Sequence, residues 1–399
     1  MQKYFKPGQR IFVGAASNEP KGLLDHLASL ELPDHLRFIQ FPIGGMNRTD
    51  FTAFNETASI ETFFMTPDLA KADAERVHYL PMQMRWVYDY IRDGVDVALI
   101  QIAPDREGTL RIGPNVDFID ATLQGAKTVI AQLNRAITAP AGCPRINADA
   151  LDEIFECDMA APEMQPPKID AAAEEIGRLV SGLINDGDCI QTGIGAIPAA
   201  ILGQLTDKAD LGLHGGLIDD AGVALIENGN VNGARKEIDQ GTHVAGIGMG
   251  TQSLYDRLAD MPSVVFRGAN HTHEVSAMAA LSNFVSINSA VEIDLYGQVN
   301  AEFAGGRQIS GTGGSVDFMR GAKSSRGGRS IVAMNATARR GEVSRIVDRV
   351  DMVTALRTDV DIVVTEYGVA QLKHLTNADR KQALVEIAAP QFRDALRAG

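Results

Sequence analysis

The chain has 399 residues, too many for one ordinary core and enough for two domains of typical size. Its 45% hydrophobic and 22% charged content is that of a folded globular protein and excludes extended disorder. A net charge of -14 excludes general nucleic-acid binding, although a local cluster can still hold a small anion.

The start, "MQKYF", leads into no apolar stretch of signal length, and the uncharged runs 189–206 and 275–291 are interrupted by Gln, Asn, Ser, Gly or Pro, so neither is the continuous apolar stretch that a membrane span needs. Cys143, Cys157 and Cys189 are odd in number and scattered, with no CxxC spacing. That pattern argues against a disulfide framework and against a zinc site, so no metal is expected and the chain is placed in the cytoplasm.

In chain order, "RIFVGAASNEPKGLLDHLASL" predicts a strand, a small-residue turn and an amphipathic helix with Pro20 in its first turn. "LRFIQFPIGG" adds a second strand ending in Gly44-Gly45. Apolar runs over 96–104 and 128–134 predict two further strands of a parallel sheet. A Pro- and Ala-rich stretch carrying Pro162, Pro166 and Pro167 marks a boundary, giving domains over 1–165 and 170–399.

The second half opens with a helix over 171–184 and then repeats the first pattern. "DCIQTGIGAIPAAILGQL" is again strand, glycine turn, proline and helix, and "LGLHGGLIDD" is again a strand ending in a glycine pair. Strands follow at 263–266, 330–334 and 361–368. Repetition of strand–turn–helix units predicts an α/β fold of two related domains with mainly parallel sheets.

Three glycine turns are candidate ligand contacts. In "TGIGAIP", Gly193 and Gly195 lie between a strand and a helix, where free N–H groups can meet a phosphate or an oxyanion; a plain structural turn is the competing reading. In "SGTGGSVDFMRGA", Gly311, Gly313 and Gly314 allow close main-chain approach, and Asp317 and Arg320 follow at helical spacing. Arg307, Arg320, Lys323, Arg326 and Arg329 make this region basic, either as a solvated loop or as an anion contact. The third turn, "TEYGVAQL", places Glu366 after an apolar strand, where a structural role is expected. "HTHE" (271–274) lacks a second ligand cluster and reads as an exposed loop. Glu292 and Asp294 fall on one strand face, with Glu302 nearby.

"QTGIGAIPAAIL", "VSINSAVEIDLYGQVNAE", "SGTGGSVDFMRGA" and "DIVVTEYGVAQL" together resemble the acetyl-CoA hydrolase/transferase family. This is the class I coenzyme A transferase group that includes 4-hydroxybutyrate CoA-transferases. "DVALIQIAPDREGTLRIGPNVDF" and "ALVEIAAPQFRDAL" match as well. The resemblance implies two α/β domains with the active site in the cleft between them. It also implies coenzyme A as a substrate moiety with no permanently bound cofactor, and an oligomer, homomeric or with a second kind of subunit.

Members of that family pass CoA between acids through a glutamate that forms an anhydride and then a thioester. By resemblance, the oxyanion donors are backbone groups near Ile197 and Gly313-Gly314. The CoA contacts are Gly193, Gly195, Gly311, Arg320 and Lys323. The family's glutamate lies in a segment reading roughly "LGIHSEM", and this chain reads "LGLHGGL" there without a gap. Gly216 therefore takes the nucleophile's place, with Gly215 before it. Asp220 matches an ordinary family aspartate, which leaves His214, Asp219, Glu292 and Glu302 as acid/base candidates. Hydrolysis, decarboxylation or C–C cleavage of a CoA thioester becomes the expected chemistry. A transferase using Asp219, and a non-catalytic CoA-thioester binder or subunit, are the alternatives.

Overall fold

The computed structural model describes residues 1–398, and its contacts divide them into two compact units. The first comprises 1–166 with 216–220 and 244–272, and the second comprises 167–215, 221–243 and 273–398. The expected division at the proline stretch is the first of several crossings. Where a contiguous second domain was expected, the chain returns twice to the first unit.

In the first unit seven parallel strands run in the order Val77–Tyr79, Ser59–Thr62, Arg37–Gln40, Arg10–Val13, Val97–Pro104, Thr128–Leu133, Glu153–Glu156. Leu110–Ile112 adds antiparallel to Val97–Pro104. The central strands are apolar on both faces because both faces are covered, as parallel sheets require. The helix Lys21–Ala28 lays Leu23, Leu24 and Leu27 on Ile11, Val13, Phe38 and Leu99. Full burial of each such side chain is worth roughly 1.5–3 kcal/mol. Pro20 stands just before this helix rather than inside its first turn.

The same unit holds a smaller parallel pair, Leu217–Ile218 with Ile247–Gly248. The segment after the Leu110–Ile112 strand lies along its far side: Gly248 donates to the Pro114 carbonyl, and Val116 donates to that of Gly246. Residues 114–116, 244–248 and 216–218 thus form one small backbone layer.

The second unit carries a six-stranded sheet in the order Gly212–Leu213, Cys189–Thr192, Phe284–Asn288, Arg329–Ala333, Ile362–Thr365, Gly368–Gln371. The first five strands are parallel. The last turns back as an antiparallel hairpin, so "DIVVTEYG" is one strand and the start of another. Pro198 is the third residue of the helix Ala196–Gly203, where its missing N–H costs no hydrogen bond. Two apolar clusters fill the unit, one around Ile293, Met319, Val332 and Val363, the other around Phe284, Phe318 and Met278.

The expected parallel-sheet strand at 263–266 is instead Val264–Phe266, which pairs only with His243–Ala245. "HTHE" is no exposed loop. Its first two residues end the short helix Ala269–Thr272, and His273 is 1% exposed.

Candidate active site

In the second unit, the parallel strands end together along one sheet edge, and the glycine turns of the sequence collect there. Gly193–Gly195 follows Cys189–Thr192 and leads into the helix Ala196–Gly203. His214-Gly215 follows Gly212–Leu213. The helix Ser315–Ser324 precedes the strand Arg329–Ala333, so it begins at this same edge with Gly314 as its N-cap. Edges of this kind bind ligands because helix N-termini leave backbone N–H groups without intrahelical partners. Ile197 is the second residue of its helix and Gly313-Gly314 caps the other, so the expected donors are brought to one edge.

The glycines are needed for different reasons. Gly195 has φ +117° and Gly313 has φ +52°, backbone states that disfavour a side chain. A Cβ on Gly195 would meet nothing within 4 Å, so its turn is open. A Cβ on Gly314 would fall 2.3 Å from His273 Nε2 and 2.8 Å from Phe318, so that glycine is required by contact alone. Gly311 is buried in the turn before them.

Two buried histidines border the edge. His214 is fully buried, with its ring edge-on to Phe284, and His273 lies against Phe318 at 4.5 Å. Burial, helped by His214, holds the His273 pKa down at about 3, so its ring is neutral near pH 7. An oxygen of Asp239 lies within 4.8 Å of a His214 ring nitrogen, and Asp239 adopts φ +50°. Beside Gly215, a Cβ would meet Gln191 Cγ at 3.2 Å, and Gln191 is bonded to Asn288 on the next strand. His273 lay in the stretch read as an exposed loop, and Asp239, Gln191 and Asn288 were not singled out from the sequence. Polar residues ending apolar strands were the available signal for the last two.

Other sequence candidates are tied down or lie elsewhere. Glu302 is buried and accepts from Gln308 Nε2 at 2.7 Å and Thr354 Oγ1 at 2.8 Å. Glu292 begins a strand opposite Asn300, and partial burial, followed by Asp351, raises its pKa. Glu366 accepts from the Ala336 N–H, the structural role expected of it. Arg320 and Lys323 sit on the Ser315–Ser324 helix rather than in a basic loop, paired with Asp359 and Asp361. Lys323 is near the helix end, about 13 Å along the axis from Gly314 by helical rise, beside the start of the strand Ile362–Thr365.

In the first unit, Gly216 begins the short segment whose carbonyl accepts from Gly246 N at 3.1 Å and Ile247 N at 2.9 Å. The strand Leu217–Ile218 separates it from Asp219, which is half-buried just before the next helix. Asp220 accepts from Thr251 N at 3.0 Å, Thr251 Oγ1 at 2.8 Å and Arg257 at 2.9 Å, so its carboxylate is structural. The segment opposite supplies a carboxyl that sequence reading did not single out. Asp117 is 2% exposed and its Oδ1 has no hydrogen-bond partner among the described residues. With no neighbouring charge to favour ionisation, burial raises its pKa to about 8. An acid set in the apolar run "VDFI" was the signal available for it.

Two family models match the chain, the acetyl-CoA hydrolase/transferase N-terminal domain over residues 1–158 and the C-terminal domain of that name over 250–399. The chain is 42% identical over 306 residues to 4-hydroxybutyrate coenzyme A transferase of Clostridium kluyveri, covering 76% of this chain and 71% of that one. It is 36% identical over 337 residues to butyryl-CoA:acetate CoA-transferase of Anaerostipes caccae, covering 80% and 75%. The crystal structure of RipA from Yersinia pestis superposes with a TM-score of 0.92 at 30% identity, covering all of this chain and 95% of the other. The segment 211–222 lies between the two family-model matches.

Proposed function

Because this chain belongs to the acetyl-CoA hydrolase/transferase family, we propose that it acts on a CoA thioester by direct attack at the acyl group, without a thioester on a glutamate of its own. The observation that carries this reading is the pair Gly215-Gly216 where the family motif has its glutamate. Glycine has no nucleophile, so the covalent route of a transferase is closed at that position. The N–H groups at Ile197 and Gly313-Gly314 remain suited to an oxyanion, which hydrolysis, decarboxylation and C–C cleavage beside a thioester all need. Hydrolysis asks least of the site, because water is the only co-reactant.

A second reading rests on Asp219, the half-buried carboxylate three residues after Gly216, acting as a displaced nucleophile in a true transferase. A third keeps CoA-thioester binding without turnover, or with a partner subunit. In each reading the protein is a cytoplasmic oligomer, homomeric in the first instance, and light scattering of the purified chain reads that state. No described helix is long and apolar enough to cross a membrane.

Purified protein incubated with a series of acyl-CoAs, with and without acetate, separates the readings by free thiol and by product. Thiol release that needs no acetate is the expected result. Acetyl-CoA formation that depends on acetate overturns it in favour of transfer, and intact thioester under both conditions favours the binder.

A further inference from the structure

We infer that Asp117 is the general base that activates water for attack on the acyl group, standing in for the missing glutamate from the opposite side of the small backbone layer. The inference rests on the hydrolytic reading above and names the group that carries its proton.

Three features lead to it. Oδ1 of Asp117 lies over Gly246, 1.8 Å from where a Cβ on that residue would be, and the Gly216 carbonyl is 3.0 Å from the same point. The carboxyl and the Gly216 backbone are therefore neighbours, separated by at most the sum of those two distances. The closeness exists only because residue 246 is glycine. Second, the carboxyl is buried with Oδ1 unsatisfied among the described residues, an arrangement that costs stability and calls for a reason. Third, Asp117 lines a cavity of about 10 Å³ with Asn115, Phe12, Phe41, Phe118 and Ile247, about the room a single water centre needs. Asn115 fixes the acid by accepting from the Asp117 N–H at 3.2 Å while donating to the Ala15 carbonyl at 2.9 Å.

Burial also tunes this group for the task. A pKa of about 8 makes its carboxylate a much stronger base than an exposed aspartate. Titratable groups on the surrounding segments are Tyr88 and Asp120, hydrogen-bonded to each other, Arg267, whose N–H donates to the Ala245 carbonyl, His271 on the helix Ala269–Thr272, and Asp219 beyond Leu217–Ile218. None of them contributes to the shift at Asp117.

In the step, the water oxygen bonds to the thioester carbonyl carbon as its proton passes to Asp117. The tetrahedral intermediate then breaks its C–S bond, and Asp117 returns the proton to the departing sulfur. Acyl-CoA and water give the free acid and CoA thiol, with no other reactant.

The test follows thiol release against pH for the wild type, Asp117→Asn and Gly246→Ala, whose methyl would displace Oδ1. Wild-type kcat/KM is expected to rise with pH to a plateau above about pH 8. Asp117→Asn should lower that plateau about 100-fold or more and remove the inflection, leaving KM unchanged. Gly246→Ala should shift the inflection. If Asp117→Asn keeps both rate and inflection, the inference falls and the hydrolytic reading stands. If the wild type releases no thiol from any acyl-CoA, the hydrolytic reading falls, and a second measurement decides on Asp117. This is the infrared difference spectrum of its carboxyl, assigned with Asp117→Asn, on adding a non-hydrolysable acyl-CoA thioether. A shifted band keeps Asp117 at the acyl group, and an unmoved one overturns the inference. Circular dichroism of both variants confirms that each has folded.

Discussion

His273 Nε2 stands 2.3 Å from the position a Cβ on Gly314 would take. The N-cap of the Ser315–Ser324 helix is thus set directly against a buried imidazole, and the helix keeps its approach because residue 314 has no side chain.

Gly314→Ala is expected to destabilise the protein by about 1–3 kcal/mol, since the ring and the helix must part in a packed interior. Gly195→Ala meets no neighbour but is forced to φ +117°, a strain of about 1–3 kcal/mol. Urea unfolding of both reads the cost. Truncating His273 to Ala should recover part of the Gly314→Ala loss, the Phe318 contact at 2.8 Å remaining, and leave Gly195→Ala unchanged, because only the first is a contact effect.

Gly215→Ser with Gly216→Glu installs the Ser-Glu pair that the resemblance implies for this segment. The new Ser Cβ meets Gln191 Cγ at 3.2 Å, so that buried side chain must shift by a few tenths of an ångström to admit it. Acetate-dependent acetyl-CoA formation should appear above the wild-type level, along with borohydride inactivation of acyl-CoA-loaded enzyme. A double variant that folds but shows neither would count against placing the acyl group at this segment.

Asp117 makes stability fall with rising pH. Its folded pKa of about 8 exceeds the ordinary carboxylate value, so between about pH 4 and pH 8 the folded state binds the extra proton. Stability is greatest below that window and is lost progressively across it, by up to ~5 kcal/mol once the folded group ionises. Thermal unfolding of the wild type should therefore show a steeper decline across the window than Asp117→Asn, which has no proton to lose. Equal slopes would show the carboxyl to be solvated.

Asp219 and Asp220 should part company on mutation. Asp220→Ala removes the acceptor of Thr251 and Arg257 and is expected to cost about 1–3 kcal/mol in urea unfolding. Asp219→Asn should leave thiol release within a few-fold of wild type. Loss of turnover in Asp219→Asn, together with borohydride modification mapped to that residue, would favour the transferase reading.

The legible part of this protein was local and contiguous. Continuous apolar runs such as "VALIQIAP" and "DIVVT" predicted strands because parallel sheets bury both faces. Glycine turns followed by proline announced the starts of helices, and the long motifs carried the family. Less legible were elements whose state depends on distant partners. "HTHE" looked polar and exposed, yet packing against Phe318 buries His273. Lys323 and Asp361 are far apart in the sequence, yet the fold pairs them.

By itself, the sequence determined the family, the α/β architecture and the absence of a glutamate at the "LGLHGGL" segment, because each is written in neighbouring residues. Only the tertiary structure decided that Asp117 stands beside Gly216. Residues 117, 216 and 246 are far apart in the chain, and backbone pairing across 114–116, 244–248 and 216–218 brings them into one layer. Burial then sets the acid's proton affinity, a property of the surroundings that no stretch of sequence carries alone.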